Sequence, residues 1–173
     1  LSEESTVTPR ATPEGFKLPS AFTEENICFY FSSNLYPSSV ETAQRFSDLS
    51  RENNHERFVD LFRKEYKWVR DLSIELIGSV PALFVRTTQS KRKVPLPSVS
   101  GGINRIISIL LAIYVYPESI ILIDEIENGQ YYSHMDGIWR LIFEFAEEAR
   151  SQVFVTSHSK ECIESLGRVA KGR

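Results

Sequence analysis

Ile120-Ile121-Leu122-Ile123-Asp124-Glu125 is the stretch on which the fold of this chain turns. Four consecutive aliphatic residues, three of them β-branched, predict a strand covered on both faces, as at the centre of a parallel sheet. The two carboxylates that follow stand at its carboxyl end, where ligands of open α/β sheets collect. An acidic pair is costly to bury there unless it holds a cation or moves a proton. Further along, Val153-Phe154-Val155 predicts a second buried strand, and Thr156-Ser157-His158-Ser159 follows it. Between the two lies a helical pattern with Met135, Ile138, Trp139, Ile142, Phe143 and Ala146 on one side, and Ser133-x-x-Asp136 as its expected cap. Strand, helix, strand is a βαβ unit. It brings Asp124 and Glu125 to the same sheet edge as Thr156, Ser157 and His158.

Upstream, Val99-Ser100-Gly101-Gly102 opens a helix whose Ile103, Ile106, Ile107, Leu110, Leu111 and Tyr114 follow helical spacing. Ile109, Ala112 and Ile113 fill the other faces, which predicts deep burial, and Pro117 stops the helix. Free backbone N–H groups and the dipole at such a helix start form an anion site, and the two glycines leave room for a phosphate. In chemical terms, Asp124 suits Mg²⁺, a hard cation that takes oxygen ligands. Glu125 suits deprotonation of an attacking water. His158 suits a hydrogen bond to a phosphate oxygen or to that water. Taken singly, S-G-G is a common loop, Asp-Glu after a strand a frequent helix cap, and a histidine at a strand end commonly structural. Their conjunction at one sheet edge favours a site.

In this order the three segments resemble the second half of an ABC-type ATPase domain. S-G-G is similar to the signature motif, I-L-I-D-E to Walker B with the catalytic glutamate, and the histidine of T-S-H-S to the switch histidine. The string D-E-I-E-N-G, followed by Q-V-F-V-T-S-H-S, resembles more narrowly the AAA-15/AAA-21 group, relatives of the overcoming-lysogenization-defect proteins. The resemblance is strong over residues 94–166 and weaker over 27–93. It implies an α/β fold of the P-loop NTPase type, with ATP and Mg²⁺ as ligands. Asp124 would hold the metal, Glu125 and His158 would be catalytic, and Ser100, Gly101 and Gly102 would clamp the γ-phosphate of a partner subunit's ATP. Asn128, Gly129, Gln130 and Tyr131 would form the D-loop of a homodimer. Relatives couple the ATPase to nucleic-acid or defence-related effectors, so an effector protein or DNA is a further expected partner.

One departure is plain. The chain contains no G-x-x-x-x-G-K-[ST], the loop that cradles phosphates. The expectation is therefore a partial domain, the carboxyl-terminal half of a larger ATPase. Its first partner would be the absent amino-terminal half, and alone it would be inactive. The alternative is a non-catalytic dimerisation module derived from such an ATPase.

The remaining sequence fits this frame. The 173 residues are 42 % hydrophobic and 25 % charged, with net charge −3, which excludes a wholly disordered chain and a globally basic one. Cys28 and Cys162 are too few and too far apart for a disulfide framework or a Cys/His metal motif. With neither a signal peptide nor a spanning apolar stretch in view, a cytoplasmic setting without membrane contact is expected.

Residues 1–25, with Pro9, Pro13, Gly15 and Pro19, predict a linker or loosely ordered arm. Residues 26–97 predict a helical and β-hairpin insertion, and 98–173 the carboxyl-terminal part of the ATPase domain. Within the insertion, Ile27–Phe31 predicts a strand and Ser38-x-x-Glu41 a capping box that starts a helix to about Ser50. A second helix carries Phe58, Leu61, Phe62, Glu65 and Val69. Two β runs around Leu72–Leu76 and Ala82–Thr87 flank a turn at Gly78–Pro81. Lys91-Arg92-Lys93 predicts a solvated turn, and a short helix is expected over Lys160–Leu166 near the carboxyl end.

Overall fold

The computed structural model describes residues 10–12, 15–17, 27–35 and 37–173. Its elements, in chain order, are β1 (Arg10–Thr12), β2 (Gly15–Lys17), β3 (Cys28–Phe31), α1 (Ser39–Arg51), α2 (His55–Glu65), β4 (Val69–Ile77), β5 (Val80–Thr87) and β6 (Val94–Pro95). There follow α3 (Leu96–Val99), α4 (Gly101–Val115), β7 (Ile120–Ile123), α5 (Met135–Ala149), β8 (Gln152–Val155) and α6 (Lys160–Lys171). β1 and β2 pair antiparallel inside the stretch expected as an arm; the rest of 1–25 lies outside the described residues.

The expected βαβ unit is present. β7 and β8 are parallel, with Ile123 opposite Val155, and α5 runs between them. β3 adds a third parallel strand on the other side of β7, with Phe31 opposite Ile123. The strand predicted at 27–31 is thus a member of the core sheet. One sheet face, carrying Ile121 and Ile123, is buried. The opposite face carries Tyr30, Leu122 and Phe154 in register, and Tyr30 and Phe154 are 65 % and 56 % exposed.

α4 is the centre of the molecule. Every residue from Gly102 to Ile113 is buried, as its all-round apolar pattern predicts, and it packs against α1, α3 and α5. Burying each of its Ile and Leu side chains contributes about 1.5–3 kcal/mol. At the α1 interface the Thr42 and Ser108 hydroxyls satisfy one another at 2.7 Å. Phe58 from α2 closes the other side among Phe46, Tyr114 and Phe145.

A second, antiparallel sheet, β4-β5-β6, packs on α1. The turn of its hairpin is Gly78-Ser79 alone, with Gly78 at φ +64°; Val80 and Pro81 already belong to β5. Pro81 is tolerated because β6 pairs with β5 only at Phe84 and Val85, so no partner asks Pro81 for an N–H.

Three further local expectations are corrected. Val69 does not continue α2. The helix ends at Glu65, Tyr66 stacks on Phe62, Val69 N–H donates to Tyr66 O at 2.9 Å, and the chain turns into β4. Ser133 does not cap α5. It lies in a short 3₁₀ turn, Tyr132–His134, and Asp136 turns instead to Ser165 and Arg168 of α6. α6, expected to end near Leu166, runs on to Lys171. The Ser38 cap does form: its Oγ accepts the Glu41 N–H at 3.4 Å.

Candidate active site at the strand ends

The parallel register fixes the first part of the site. With Phe31, Ile123 and Val155 level, Asp124 and Thr156 leave their strands side by side, and Ser33 follows from β3. Asp124 N–H donates to Phe31 O, and Thr156 N–H to Ile123 O, both at 2.9 Å. The Thr156 hydroxyl donates to Asp124 Oδ1 at 2.6 Å and accepts the Glu125 N–H at 2.9 Å. These contacts hold the Asp124 carboxyl below its ordinary range: Thr156 does most, then the Ser33 hydroxyl, with the Arg105 charge adding less. Asp124 is therefore an anion with oxygen neighbours, which suits a hard cation.

Glu125 has a left-handed backbone, φ +47°. For a residue with a Cβ this costs about 1–2 kcal/mol, so its surroundings must impose it. They do so at both ends. The N–H is held by Thr156, and the carbonyl accepts Arg105 Nη1 at 2.8 Å and the Asn128 N–H at 3.0 Å. Arg105 also donates to the carbonyls of Asp124 and, at 3.5 Å, Asn128. It is 3 % exposed and the only charged residue of α4. The motifs assigned a role neither to it nor to Glu127, although Glu127 lies within D-E-I-E-N-G. A lone charge in an otherwise apolar helix was the available signal for Arg105.

His158 meets the carboxylates across the edge. Its Nδ1 lies 3.4 Å from Glu125 Oε1 and 3.5 Å from Glu127 Oε1, and its side chain is 76 % exposed. Glu127 Oε1 also accepts the backbone N–H groups of His158 and Ser159, at 3.0 and 3.2 Å. Burial pushes the Glu127 carboxyl up, but backbone hydrogen bonds, the Ser157 hydroxyl and the His158 charge together carry it below the usual range.

The signature segment joins this cluster through the backbone. Ser100 is the N-cap of α4, its Oγ accepting the Ile103 N–H at 3.4 Å, so the half-buried serine serves the helix. Gly102 packs on the backbone of Gly129, which has φ +76°. Among the described residues no hydrogen bond joins Ser100, Gly101 or Gly102 to Asp124, Glu125 or His158. The structure thus gathers Asp124, Glu125 and His158 at one edge and ties Ser100–Gly102 to the Asn128–Gln130 loop beside it.

Asp124 fits Mg²⁺ in one specific way. Among the described residues no three His, Cys, Asp or Glu side chains form a metal cage. A single ionised carboxylate flanked by hydroxyls suits a cation whose other ligands are substrate phosphates and waters.

An acidic pair at the end of β7, beside a glycine-started buried helix, gives an α/β fold whose candidate ligand edge is the carboxyl end of its parallel sheet. The chain belongs to the AAA ATPase domain family (AAA_15), which matches residues 22–163. A curated relative, the ATP/GTP phosphatase of Helicobacter pylori (strain ATCC 700392 / 26695), is 33 % identical over 92 residues, covering 51 % of this chain and 25 % of the relative. The matched region thus spans about a quarter of that relative's length. A solved structure concerned with ATP-driven dimerization and DNA-stimulated activation of SMC ATPases superposes with TM-score 0.52 at 16 % identity, over 70 % of this chain and 74 % of that one. The shared fold is the α/β P-loop NTPase fold. Among the described residues no helix is long and apolar enough to cross a membrane.

Proposed function

We propose that this chain supplies the hydrolytic edge of a dimeric, ABC-like ATPase. Glu125 takes a proton from a water as its oxygen attacks the γ-phosphorus of ATP; the bond from that phosphorus to the β–γ bridging oxygen breaks, giving ADP and phosphate. His158 donates a hydrogen bond to a γ-phosphate oxygen. Asp124 would hold Mg²⁺, which when bound neutralises charge on the β- and γ-phosphates. The observation that carries this reading is the left-handed Glu125, clamped by Thr156 and Arg105 at a local cost that a merely structural turn could avoid by using glycine.

The site is completed from outside. Ser100, Gly101 and Gly102 offer their helix start to the γ-phosphate bound by a partner subunit. Asn128, Gly129, Gln130 and Tyr131 line the dimer contact, a reading supported by the exposed rings of Tyr131 and Tyr132 beside them. The phosphate-cradling loop comes from polypeptide outside these 173 residues. The uncovered sheet face with Tyr30, Leu122 and Phe154 supports this, since parallel sheets are covered on both faces. In this scheme residues 1–25 are a connecting arm, 26–97 an insertion that lends β3 to the core sheet, and 98–173 the carboxyl-terminal part of the domain. Turnover drives an effector of the nucleic-acid or defence class, as the family resemblance suggests.

Mixing two inactive variants of the full-length protein tests the two-subunit site. Gly101→Asp puts a carboxylate against the phosphate, and Glu125→Gln removes the base. After complete subunit exchange, followed by a fluorescent label, half of the dimers are mixed and each owns one intact site. Activity then returns to about a quarter of the unmodified level. No recovery despite confirmed exchange would refute the shared site. An unmodified protein without turnover would favour a non-catalytic dimerisation module instead.

A further inference from the structure

Asp124, Glu125, Ile126 and Glu127 run as one short loop. The Ile126 side chain is fully buried, and Glu125 and Glu127 on either side of it both reach His158. The hydrolysis scheme uses the first glutamate and leaves the second without a task. Yet Glu127 is the more enclosed of the two, its side chain 16 % exposed against 38 % for Glu125. Its Oε1 accepts two consecutive backbone N–H groups, those of His158 and Ser159. Its Oε2 is shut away from solvent and makes no hydrogen bond of good geometry, the Ser157 hydroxyl only lying near the carboxyl. Burying a carboxylate oxygen unsatisfied works against stability, so packing alone does not account for the residue.

Of the two N–H groups, that of Ser159 is shared with the Ser157 Oγ at 3.1 Å, whereas that of His158 is held by Glu127. Thr156 is tied to the sheet by the Ile123 and Ile126 backbones. Ser159 is already the N-cap of α6, its Oγ accepting the Cys162 N–H at 3.2 Å. Ser157 and His158 bridge the gap between strand and helix. A carboxylate at this point also meets the positive end of α6, where an anion is favoured.

We propose that Glu127 is the positioning residue of the His158 loop: by accepting the His158 and Ser159 N–H groups it fixes the imidazole against Glu125, where the hydrolysis scheme requires it. The inference rests on that scheme. It assigns Glu127 no contact with nucleotide. What it needs from Glu127 is an acceptor oxygen at the right place, and a neutral amide supplies one as well as a carboxylate does.

That requirement makes the test specific. Glu127→Ala and Glu127→Gln are made in the full-length protein. Hydrogen exchange is followed by mass spectrometry in the peptide spanning residues 156–162, alongside ATP turnover and nucleotide affinity. In Glu127→Ala the peptide exchanges faster, kcat falls about 10- to 100-fold, as expected for a displaced catalytic group, and nucleotide affinity is unchanged. Glu127→Gln restores both protection and turnover. In a His158→Ala background, Glu127→Ala lowers kcat no further, because the group it positions is gone. Undiminished turnover in Glu127→Ala would overturn the proposal, and so would a loss of turnover without faster exchange. A Glu127→Gln variant as slow as Glu127→Ala would also overturn it, since charge rather than position would then matter. Absence of turnover in the unmodified protein would instead refute the hydrolysis scheme itself.

Discussion

Gly102 and Gly129 meet backbone to backbone: a Cβ added at Gly102 would stand 2.0 Å from the carbonyl oxygen of Gly129. No real contact is that short, so the glycine is what lets the start of α4 lie on the loop after Glu125. Gly102→Ala must push one backbone off the other, and overpacking of this kind costs about 1–3 kcal/mol. Its urea midpoint should fall accordingly. Gly167→Ala is the control, since nothing lies within 4 Å of that Cβ in α6. It should stabilise by about 0.5–1 kcal/mol.

Arg105 is the second tie between α4 and the acidic loop. Arg105→Met leaves the carbonyls of Asp124, Glu125 and Asn128 without its donors. The expected cost is about 1–3 kcal/mol in denaturant unfolding, together with slower turnover as Glu125 relaxes from its left-handed backbone. Arg105→Lys keeps a charge and part of the donor set and should fall between the two. Full stability in Arg105→Met would remove the clamp from the account.

Thr156→Val deletes the hydroxyl that both orients Asp124 and holds the Glu125 N–H. Two hydrogen bonds at about 1 kcal/mol each correspond to a loss of about 10- to 30-fold in turnover. Thr156→Ser keeps the hydroxyl and should recover most of it. Steady-state kinetics on the full-length protein distinguishes the two.

Asp136 gives a pH signature remote from the site. The Arg168 guanidinium first, then the Ser165 hydroxyl, hold its carboxyl below the usual value of about 3.9. The folded state therefore binds fewer protons than the unfolded chain in this range. The stabilisation is present above about pH 4 and is lost as pH falls through the lowered folded value. Asp136→Asn should flatten that acid limb in a series of thermal midpoints between about pH 2 and pH 5. An unchanged limb would show that the α5–α6 ion pair does not form.

The sequence showed much of this because local and global demands agreed. An aliphatic run ending in Asp-Glu reads as a central strand, and β7 is one. The all-round apolar pattern of α4 predicted burial that the structure contains. Ser38 caps α1 through a rule that needs only neighbouring residues. The misses are tertiary. Val69 keeps helical spacing, but pairing with Thr87 and the Tyr66 turn draw it into β4. Asp136 sits at capping distance from Ser133 but finds Arg168, 32 residues away. The roles of Arg105 and Glu127 depend on backbone groups of another loop, which no spacing along the chain reveals. The Gly102–Gly129 approach is of the same kind: each glycine was visible, their meeting was not.

The central claim is that Glu125, held in its unusual backbone by Thr156 and Arg105, is the base that activates water. Glu125→Gln preserves the shape and removes the proton acceptor. ATP turnover and ATP binding, measured side by side on the full-length variant, test it most directly. The account predicts that turnover falls by about 100-fold or more while ATP still binds. Turnover equal to that of the unmodified protein would contradict it.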